Sequence, residues 1–341
     1  MEHSSLSIPK GRSLDCVTLG RANMDLYTEV ERSIEETGSF TKSVGGSPAN
    51  IAAAMARLGM KVGMITRVAD DPIGHFVVEF LKEMGVDTSR ISFDRDGAST
   101  SVAFAETRSS GSRTVLYRNN AADLLLSPGE IDGEYLADSS MLLISGQALS
   151  VSPSRDAAMV AIERARSAGT MVALDIDYRP YSWTSPEAAS VTLSLAAERC
   201  DLVIGTREEF DALELLYRKD SPSKEGTESR DRESAAYLLK RGVTLVVIKR
   251  GEEGSLAVAA SGESASGPVY PVQPAKPYGA GDAFAGALLH QLYNGAPLAN
   301  CLQAAAANAS INISRTRCAE DMARWEEIET FLEERNDALS H

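Results

Sequence analysis

The sequence predicts an α/β fold in which a mostly parallel sheet lies between layers of helices. Short runs that are apolar throughout alternate along the chain with longer segments rich in alanine, leucine and charged residues. A run of that kind is typical of a strand covered on both faces. Six such runs begin at Cys16, Val62, Met141, Met171, Leu202 and Thr244. Their alternation with helical segments predicts βα units.

Residues typical of helix starts and helix ends lie at the expected boundaries of these units. A side-chain oxygen at the N-cap followed by proline at the first helical position is a common helix start. Four residues precede a proline in this way: Ser47, Asp71, Ser152 and Ser185. Glycine is the preferred residue just beyond a helix end. Four glycines stand where the helices are expected to end: Gly59, Gly85, Gly169 and Gly242.

Three regions depart from this rhythm. Residues 25–44 and 98–120 are partly alternating and rich in Ser and Thr, which predicts antiparallel strands with one face in water. They would form a small sheet projecting from the α/β body. Residues 218–232 are nearly all charged or small and polar, which predicts a flexible insertion.

The composition excludes several function classes. The chain has 341 residues, with 48 acidic and 34 basic side chains and a formal net charge of −14. Such a balance argues against a nucleic acid or an anionic membrane as the partner. Four dispersed cysteines and an N-terminus without an apolar signal core predict the reducing cytoplasm. We expect neither a membrane span nor a nucleic-acid site.

A glycine-rich motif near the C-terminus points to an anion. Gly279, Ala280 and Gly281 lead directly into an amphipathic helix, whose first amides and dipole favour negative charge. A carboxylate at Asp282 would repel a bound phosphate, but it suits a general base that deprotonates the attacking hydroxyl. The alternative is a glycine turn with Asp282 as an ordinary N-cap.

A second motif lies near the N-terminus. Gly45 and Gly46 permit close approach by a ligand, and Asn50 offers an amide in the first helical turn. Asn23 and Asp25 follow the first strand, where open α/β sheets bind ligands. Amide and acidic groups near glycines suit a polyhydroxylated ligand. The alternative is a capped helix after a turn.

Together the two motifs resemble the signatures of the ribokinase (PfkB) family of carbohydrate kinases. The resemblance covers nearly the whole chain. It implies a single kinase domain over residues 13–337 after a flexible stretch at 1–12, with a three-layer αβα ribokinase-like fold and a small β-sheet lid. It also implies ATP-dependent, Mg²⁺-assisted phosphorylation of a terminal hydroxyl, with Asp282 as base and residues 279–281 as anion hole. Sugar contacts would come from Asp25, Gly46 and Asn50.

The resemblance assigns further residues to the nucleotide. Thr206 and Glu209 match a polar residue and a glutamate that organise phosphate and magnesium, with Glu209 acting on the metal through water. A nucleotide-binding turn and an adenine-flanking helix position are matched by Lys249, Gly251, Gly254 and Asn308. One departure is that Lys276-Pro277-Tyr278 replaces a frequent Asp-Thr-Thr. The resemblance therefore does not carry over activation by a monovalent cation.

The substrate is expected to be a sugar acid. Arg118 on a lid strand and Arg179 at a strand end have the side chain best shaped to grip a carboxylate. Several stretches are most similar to family members that act on a six-carbon keto acid. The alternatives are a fructokinase, a 2-keto-3-deoxygluconate kinase, and a non-catalytic sugar or nucleotide sensor. Arg118 could instead be a solvated edge charge, and the lid face predicts a homodimer.

Overall fold

A computed structural model describes residues 6–217 and 227–339, and these residues fold into two compact units. The first unit combines residues 6–19 with the described residues between 127 and 269. The second combines residues 20–126 with residues 270–339.

The strands and helices fall at the following positions. In chain order the strands are β1 Cys16–Leu19, β2 Asn23–Thr28, β3 Phe40–Gly45, β4 Val62–Ala69, β5 Val86–Asp94, β6 Val102–Ala105, β7 Thr114–Tyr117, β8 Met141–Ser145, β9 Met171–Asp175, β10 Leu202–Thr206, β11 Leu245–Lys249, β12 Ser255–Ala259 and β13 Ser264–Gly267. The helices are α1 Ser47–Arg57, α2 Pro72–Glu83, α3 Gly133–Ala137, α4 Ser154–Ser167, α5 Pro186–Ala197, α6 Arg207–Glu214, α7 Thr227–Leu239, α8 Ala280–Tyr293, α9 Leu298–Ile313 and α10 Trp325–Leu339.

The first unit is built on strands in the order β13-β12-β11-β10-β9-β8-β1. From β1 to β11 the neighbours in this order run parallel, and every residue of β1, β8 and β9 is buried. This confirms that the uniformly apolar runs are covered parallel strands. The antiparallel strands β12 and β13 were not predicted, because their serines and alanines lack a clear strand pattern.

The second unit contains the parallel pair β4 and β5 and a separate sheet in the order β3-β2-β6-β7. In that sheet β2 pairs with β3 and β6 pairs with β7, both antiparallel, while β2 and β6 run parallel. The antiparallel strands predicted within 25–44 and 98–120 are confirmed. Residues 218–226 of the predicted insertion lie outside the described residues, whereas 227–232 belong to α7 and are helical, not a flexible loop.

Two of the four predicted helix caps are confirmed. The Asp71 carboxylate accepts hydrogen bonds from two amides of α2, and the Ser185 hydroxyl accepts one from an amide of α5. Ser47 and Ser152 are not N-caps, since α1 has Gly46 and α4 has Pro153 at that position. Ser47 is already helical, and its hydroxyl donates to a side chain of α8.

Small residues bring the helices of the second unit close together. A Cβ on Gly286 of α8 would lie 2.5 Å from the Cβ of Ala54 on α1. The alanines at 304–307 of α9 are all buried. These contacts place the start of α8 beside the first turn of α1. Within the described ranges, we find no helix of the length and apolar character needed to cross a membrane.

Candidate active site

The start of α8 is an open helix N-terminus. Its N-cap is Gly279, in the left-handed conformation with φ 92°, and glycine has no side chain with which to cap the helix. A Cβ at Gly279 would lie 2.6 Å from Oδ1 of Asn312 and 2.8 Å from Sγ of Cys318, so the turn requires glycine. The first amides of a helix have no partner within the helix. At Ala280 and Gly281 they are therefore suited to an anion.

Asp282, the third residue of α8, is oriented by α1. The Ser47 hydroxyl donates to its Oδ1 and the Asn50 amide donates to its Oδ2, each at 2.8 Å. Asp282 is thus not the N-cap of its own helix, which removes the simplest structural alternative. A half-buried carboxylate fixed by two donors from a neighbouring helix can receive a proton at a defined position.

Asp25 lies within β2 and is held by its neighbours on the same strand. Asn23 Nδ2 donates to Oδ1 at 2.6 Å and the Tyr27 hydroxyl donates to Oδ2 at 2.9 Å. Burial raises the pKa of Asp25, while Arg21 and the two hydrogen bonds oppose that rise. A Cβ on Gly45 would lie 2.1 Å from Asp25 Oδ1, so glycine makes room for this carboxylate.

Gly46 accommodates the backbone of the second unit. Its φ is 97°, and a Cβ there would lie 2.4 Å from the carbonyl oxygen of Arg21. The close approaches at the glycine pair are thus made by the protein, with the Asp25 carboxylate at Gly45 and the Arg21 carbonyl at Gly46. These close approaches fix the path of the chain into α1 and the position of Asn50.

Arg118 follows β7 and is bound to an acidic side chain. Its Nη2 lies 2.5 Å from Oδ2 of Asp123, and both side chains are largely buried, with 10% and 4% of their surface exposed. Arg118 is therefore not a solvated edge charge. The pair, which the sequence analysis did not foresee, fixes the guanidinium plane.

The start of α6 in the first unit is closed by a capping box. The Thr206 hydroxyl accepts from the Glu209 amide at 3.3 Å, and Glu209 Oε2 accepts from the Thr206 amide at 2.8 Å. Burial raises the pKa of Glu209; Lys249 opposes the rise, and Asp175 and Asp177 add to it. The two side chains predicted to organise phosphate and magnesium are thus engaged with their own helix.

Two cations meet the acidic groups of the first unit. Lys249 Nζ lies 3.5 Å from Asp175 Oδ1, and Arg179 lies 3.1 Å from Asp177 and 3.4 Å from Glu209. Arg179 therefore groups with the residues of the first unit predicted to bind nucleotide. Sequence reasoning missed the carboxylates of Asp175 and Asp177. Their signal was the Asp-Ile-Asp step that ends a buried strand.

Three other residues predicted to bind nucleotide have local structural roles. Gly251 and Gly254 have φ values of 57° and 81°, and a Cβ on Gly254 would lie 2.2 Å from the Gly267 carbonyl oxygen. Asn308 is fully buried; its amide donates to the carbonyl of Ala283 and its oxygen accepts from the amide of Ala323. The two Asn308 bonds join α9 to α8 and to the segment before α10, and they give no support to the predicted adenine contact of Asn308.

A magnesium ion would depend on the nucleotide for its ligands. Among the described residues we find no group of three or more His, Cys, Asp or Glu side chains arranged to hold a metal. The Glu209 carboxylate is engaged by the Thr206 amide and by Arg179. Mg²⁺ is commonly bound by one or two carboxylates together with substrate phosphates and water. The carboxylates of the first unit are of the ligand type that such an ion takes.

Comparison with known proteins finds relatives over nearly the whole chain. The chain is 44% identical over 333 residues to a 5-dehydro-2-deoxygluconokinase of Geobacillus kaustophilus, covering 97% of each chain. It is 40% identical over 337 residues to the enzyme of the same name from Photobacterium profundum, covering 98% of this chain and 100% of that one.

Solved structures show the same fold. An E. coli structure described as a ribokinase II in complex with ATP and Mg²⁺ has a TM-score of 0.83 at 26% identity, covering 94% of this chain and 99% of that one. A PfkB protein from Polaromonas sp. JS666 has a TM-score of 0.78 at 25% identity, covering 90% and 98%. The predicted ribokinase-like α/β fold with a small second sheet is confirmed.

The family model described as "pfkB family carbohydrate kinase" matches residues 13–325. The resemblance inferred from the two glycine motifs is thereby confirmed. The chain belongs to the pfkB family of carbohydrate kinases.

Proposed function

We propose that the chain transfers the terminal phosphoryl group of ATP to the terminal hydroxyl of a six-carbon sugar acid, 5-dehydro-2-deoxy-D-gluconate. The observation that carries this proposal is the Asp282 carboxylate, fixed by Ser47 and Asn50 at an uncapped helix start. A base and free amides at one helix start are what phosphoryl transfer to a hydroxyl requires.

The substrate class is supported by relatives over nearly the full chain. Those at 40–44% identity quoted above carry the name 5-dehydro-2-deoxygluconokinase. Four stretches of this sequence resemble enzymes of that activity, which serve inositol catabolism: IGTREEFD from Ile204, DIDYRPYSW from Asp175, SGQALSVSPSR from Ser145 and RCAEDM from Arg317. The favoured substrate is therefore a keto acid and not a neutral ketose.

Proton transfer would be carried out by the second unit. The substrate hydroxyl would give its proton to Asp282 as its oxygen attacks the γ-phosphorus of ATP, the bond from that phosphorus to the bridging oxygen would break, and ADP would leave. The amides at Gly279, Ala280 and Gly281 would stabilise the charge on the phosphoryl oxygens. Asp25 would accept hydrogen bonds from other hydroxyls of the sugar.

The remaining sugar contacts would come from the entry into α1. The Asn50 amide group donates to Asp282 and its side-chain oxygen faces no hydrogen-bond donor among the described residues. We assign that buried oxygen to a hydrogen bond from a hydroxyl of a sugar bound at the start of α1. Gly45 and Gly46 would contribute by keeping the Asp25 carboxylate and the start of α1 in place.

The nucleotide would be held by residues of the first unit. Lys249 carries the positive charge suited to phosphate, and the turn with Gly251 and Gly254 follows it directly. Thr206 and Glu209 would fix the start of α6 and, through Glu209, the water shell of Mg²⁺. Bound Mg²⁺ would offset the charge of the phosphates. Asn308 stays in this set as a prediction without contacts that favour it.

The substrate carboxylate would bind Arg118. A planar guanidinium presents its N–H donors in a fixed plane, and the bond to Asp123 holds that plane in place for a carboxylate. Arg179 is a second candidate with weaker support, because it pairs with Asp177 and Glu209.

We also expect a cytoplasmic location, a homodimer and a single kinase domain. All four cysteines are free and buried, which favours a reducing compartment such as the cytoplasm. Exposed apolar side chains on the small sheet, Phe40, Val115 and Tyr117, favour a homodimer. The family match over residues 13–325 favours one kinase domain over 13–337.

An ADP-release assay with a substrate panel tests the proposal. We expect turnover with 5-dehydro-2-deoxygluconate at a kcat/KM at least about tenfold above that with 2-keto-3-deoxygluconate or fructose. A larger value with either competitor would reassign the sugar. The absence of ADP release with all three, in a folded protein that binds ATP, would favour a non-catalytic sensor.

A further inference from the structure

The most unusual buried group outside the residues assigned above is the ammonium of Lys276. Its side chain is fully buried and is among the largest that have less than 2% of their surface exposed. A lysine is almost never fully buried unless it is paired. Lys276 lies three residues before Gly279, on the stretch where the sequence departs from the frequent Asp-Thr-Thr.

Lys276 is bound at the end of α9. Its Nζ donates to the backbone carbonyl oxygen of Asn312 at 2.5 Å and to the side-chain Oδ1 of the same residue at 2.9 Å. The carbonyl end of a helix carries partial negative charge, so it stabilises an ammonium there. Burial lowers the pKa of Lys276, while Asp282, Asp321 and Cys318 oppose that change.

Asn312 transmits this contact to the start of α8. Its Nδ2 donates to the carbonyl of Cys318 at 3.0 Å, and its Oδ1 lies 2.6 Å from where a Cβ of Gly279 would be. Asn312 is itself fully buried. The left-handed turn at Gly279 therefore packs against the side-chain amide of Asn312, and the oxygen of that amide accepts a hydrogen bond from the Lys276 ammonium.

We propose that Lys276 is a positioning residue for phosphoryl transfer, which acts through Asn312 to hold the turn at Gly279 and thus the first amides of α8. This inference rests on the proposed function, since the amides matter only if a phosphoryl group approaches them. Neither Lys276 nor Asn312 contacts the reacting atoms. Their effect is on kcat, because misplaced amides weaken stabilisation of the transition state.

The first test compares Lys276→Met with Lys82→Met. Methionine has similar length without the charge, and Lys82 is an exposed lysine on α2 of the same unit. We expect kcat of Lys276→Met to fall about 10- to 100-fold while the KM values for ATP and sugar acid change less than about threefold. The Lys82→Met variant should keep the parent kcat.

The second test measures the turn without reference to activity. Amide hydrogen exchange of residues 279–283 should be at least about tenfold faster in Lys276→Met than in Lys82→Met, with exchange in α6 unchanged. If the parent enzyme phosphorylates no sugar, the proposed function is wrong, yet this exchange result still reports on Lys276. Unchanged exchange, or a kcat of Lys276→Met within about threefold of the parent, would overturn the inference.

The third test uses Lys276→Ala, which also serves if the methionine variant does not fold. Alanine leaves room for a small amine against the Asn312 oxygens. Ammonium chloride should raise kcat of Lys276→Ala several-fold in a saturable way, whereas tetramethylammonium chloride at the same ionic strength should not. Equal responses to the two salts would mean that no cation is needed there and would overturn the inference.

Discussion

The helices α6 and α8 begin with the same spacing and use it differently. Each has an acidic residue three positions after the N-cap, Glu209 after Thr206 and Asp282 after Gly279. Threonine supplies a hydroxyl that closes a capping box with its glutamate. Glycine supplies none, so Asp282 binds side chains of α1 instead.

This difference teaches that the N-cap residue decides what an acidic third residue can do. A threonine cap uses the carboxylate and one amide for the helix itself. A glycine cap leaves the amides open and the carboxylate available to other groups. The glycine-capped start of α8 therefore has more amides free for an anion than the threonine-capped start of α6.

The largest expected effect comes from filling the open start. Gly281→Val puts methyl groups beside the first amides of α8, so kcat should fall about 10²- to 10³-fold with little change in melting temperature. The matched control is Glu208→Val, since exposed Glu208 has the same position in the closed helix α6. Steady-state kinetics and thermal unfolding measure both variants. Full activity of folded Gly281→Val would mean that the amides do not contact phosphate.

A second prediction tests whether Arg118 binds the substrate carboxylate or only stabilises its own unit through the ion pair with Asp123. Arg118→Ala should lower kcat/KM for the sugar acid about 10- to 150-fold, which corresponds to about 1.5–3 kcal/mol for a charge-assisted hydrogen bond. Turnover of fructose and the KM for ATP should change little. If Arg118 only supports its own unit, Asp123→Ala and Arg118→Ala will reduce stability equally and affect acid and neutral substrates alike.

A third prediction follows from the raised pKa of Asp25. Its carboxylate binds hydroxyls as the anion, so kcat/KM should fall as the pH decreases through a pKa above the ordinary 3.8. The expected slope is about tenfold for each pH unit. When kcat/KM is normalised to its plateau value, its decrease at acidic pH should occur at lower pH in Asp25→Asn than in the parent. An acid limb unchanged by that substitution would assign it to another group.

The smallest expected effect is at the closed helix start. Thr206→Ala removes the cap of α6 and should reduce the free energy of unfolding by about 1 kcal/mol. The KM for ATP should stay within about threefold, because the hydroxyl is engaged by the Glu209 amide. Denaturant unfolding and initial rates measure these quantities. A tenfold rise in the KM for ATP would show that Thr206 contacts the nucleotide directly. The start of α6 would then bind a ligand, as the start of α8 is proposed to do.

Sequence predicted the elements that have a strong local pattern. The apolar strands, the small sheet and both glycine turns follow from burial and from glycine conformation. The partners of the site residues could not be predicted, because Ser47 and Asn50 reach Asp282 across more than 230 positions and Lys276 reaches Asn312 across 36. Thr206 was predicted to contact the nucleotide because the sequence alone does not show that its hydroxyl caps α6.

The central claim is that Asp282 acts as the base at an open helix start, and single-turnover phosphoryl transfer by Asp282→Asn tests it most directly. Asparagine keeps the shape of the side chain and removes its basicity. With the sugar acid and ATP saturating, the rate should be about 10²- to 10⁴-fold below that of the parent, while ATP binding and thermal stability stay nearly unchanged. A rate within a few-fold of the parent would contradict the claim.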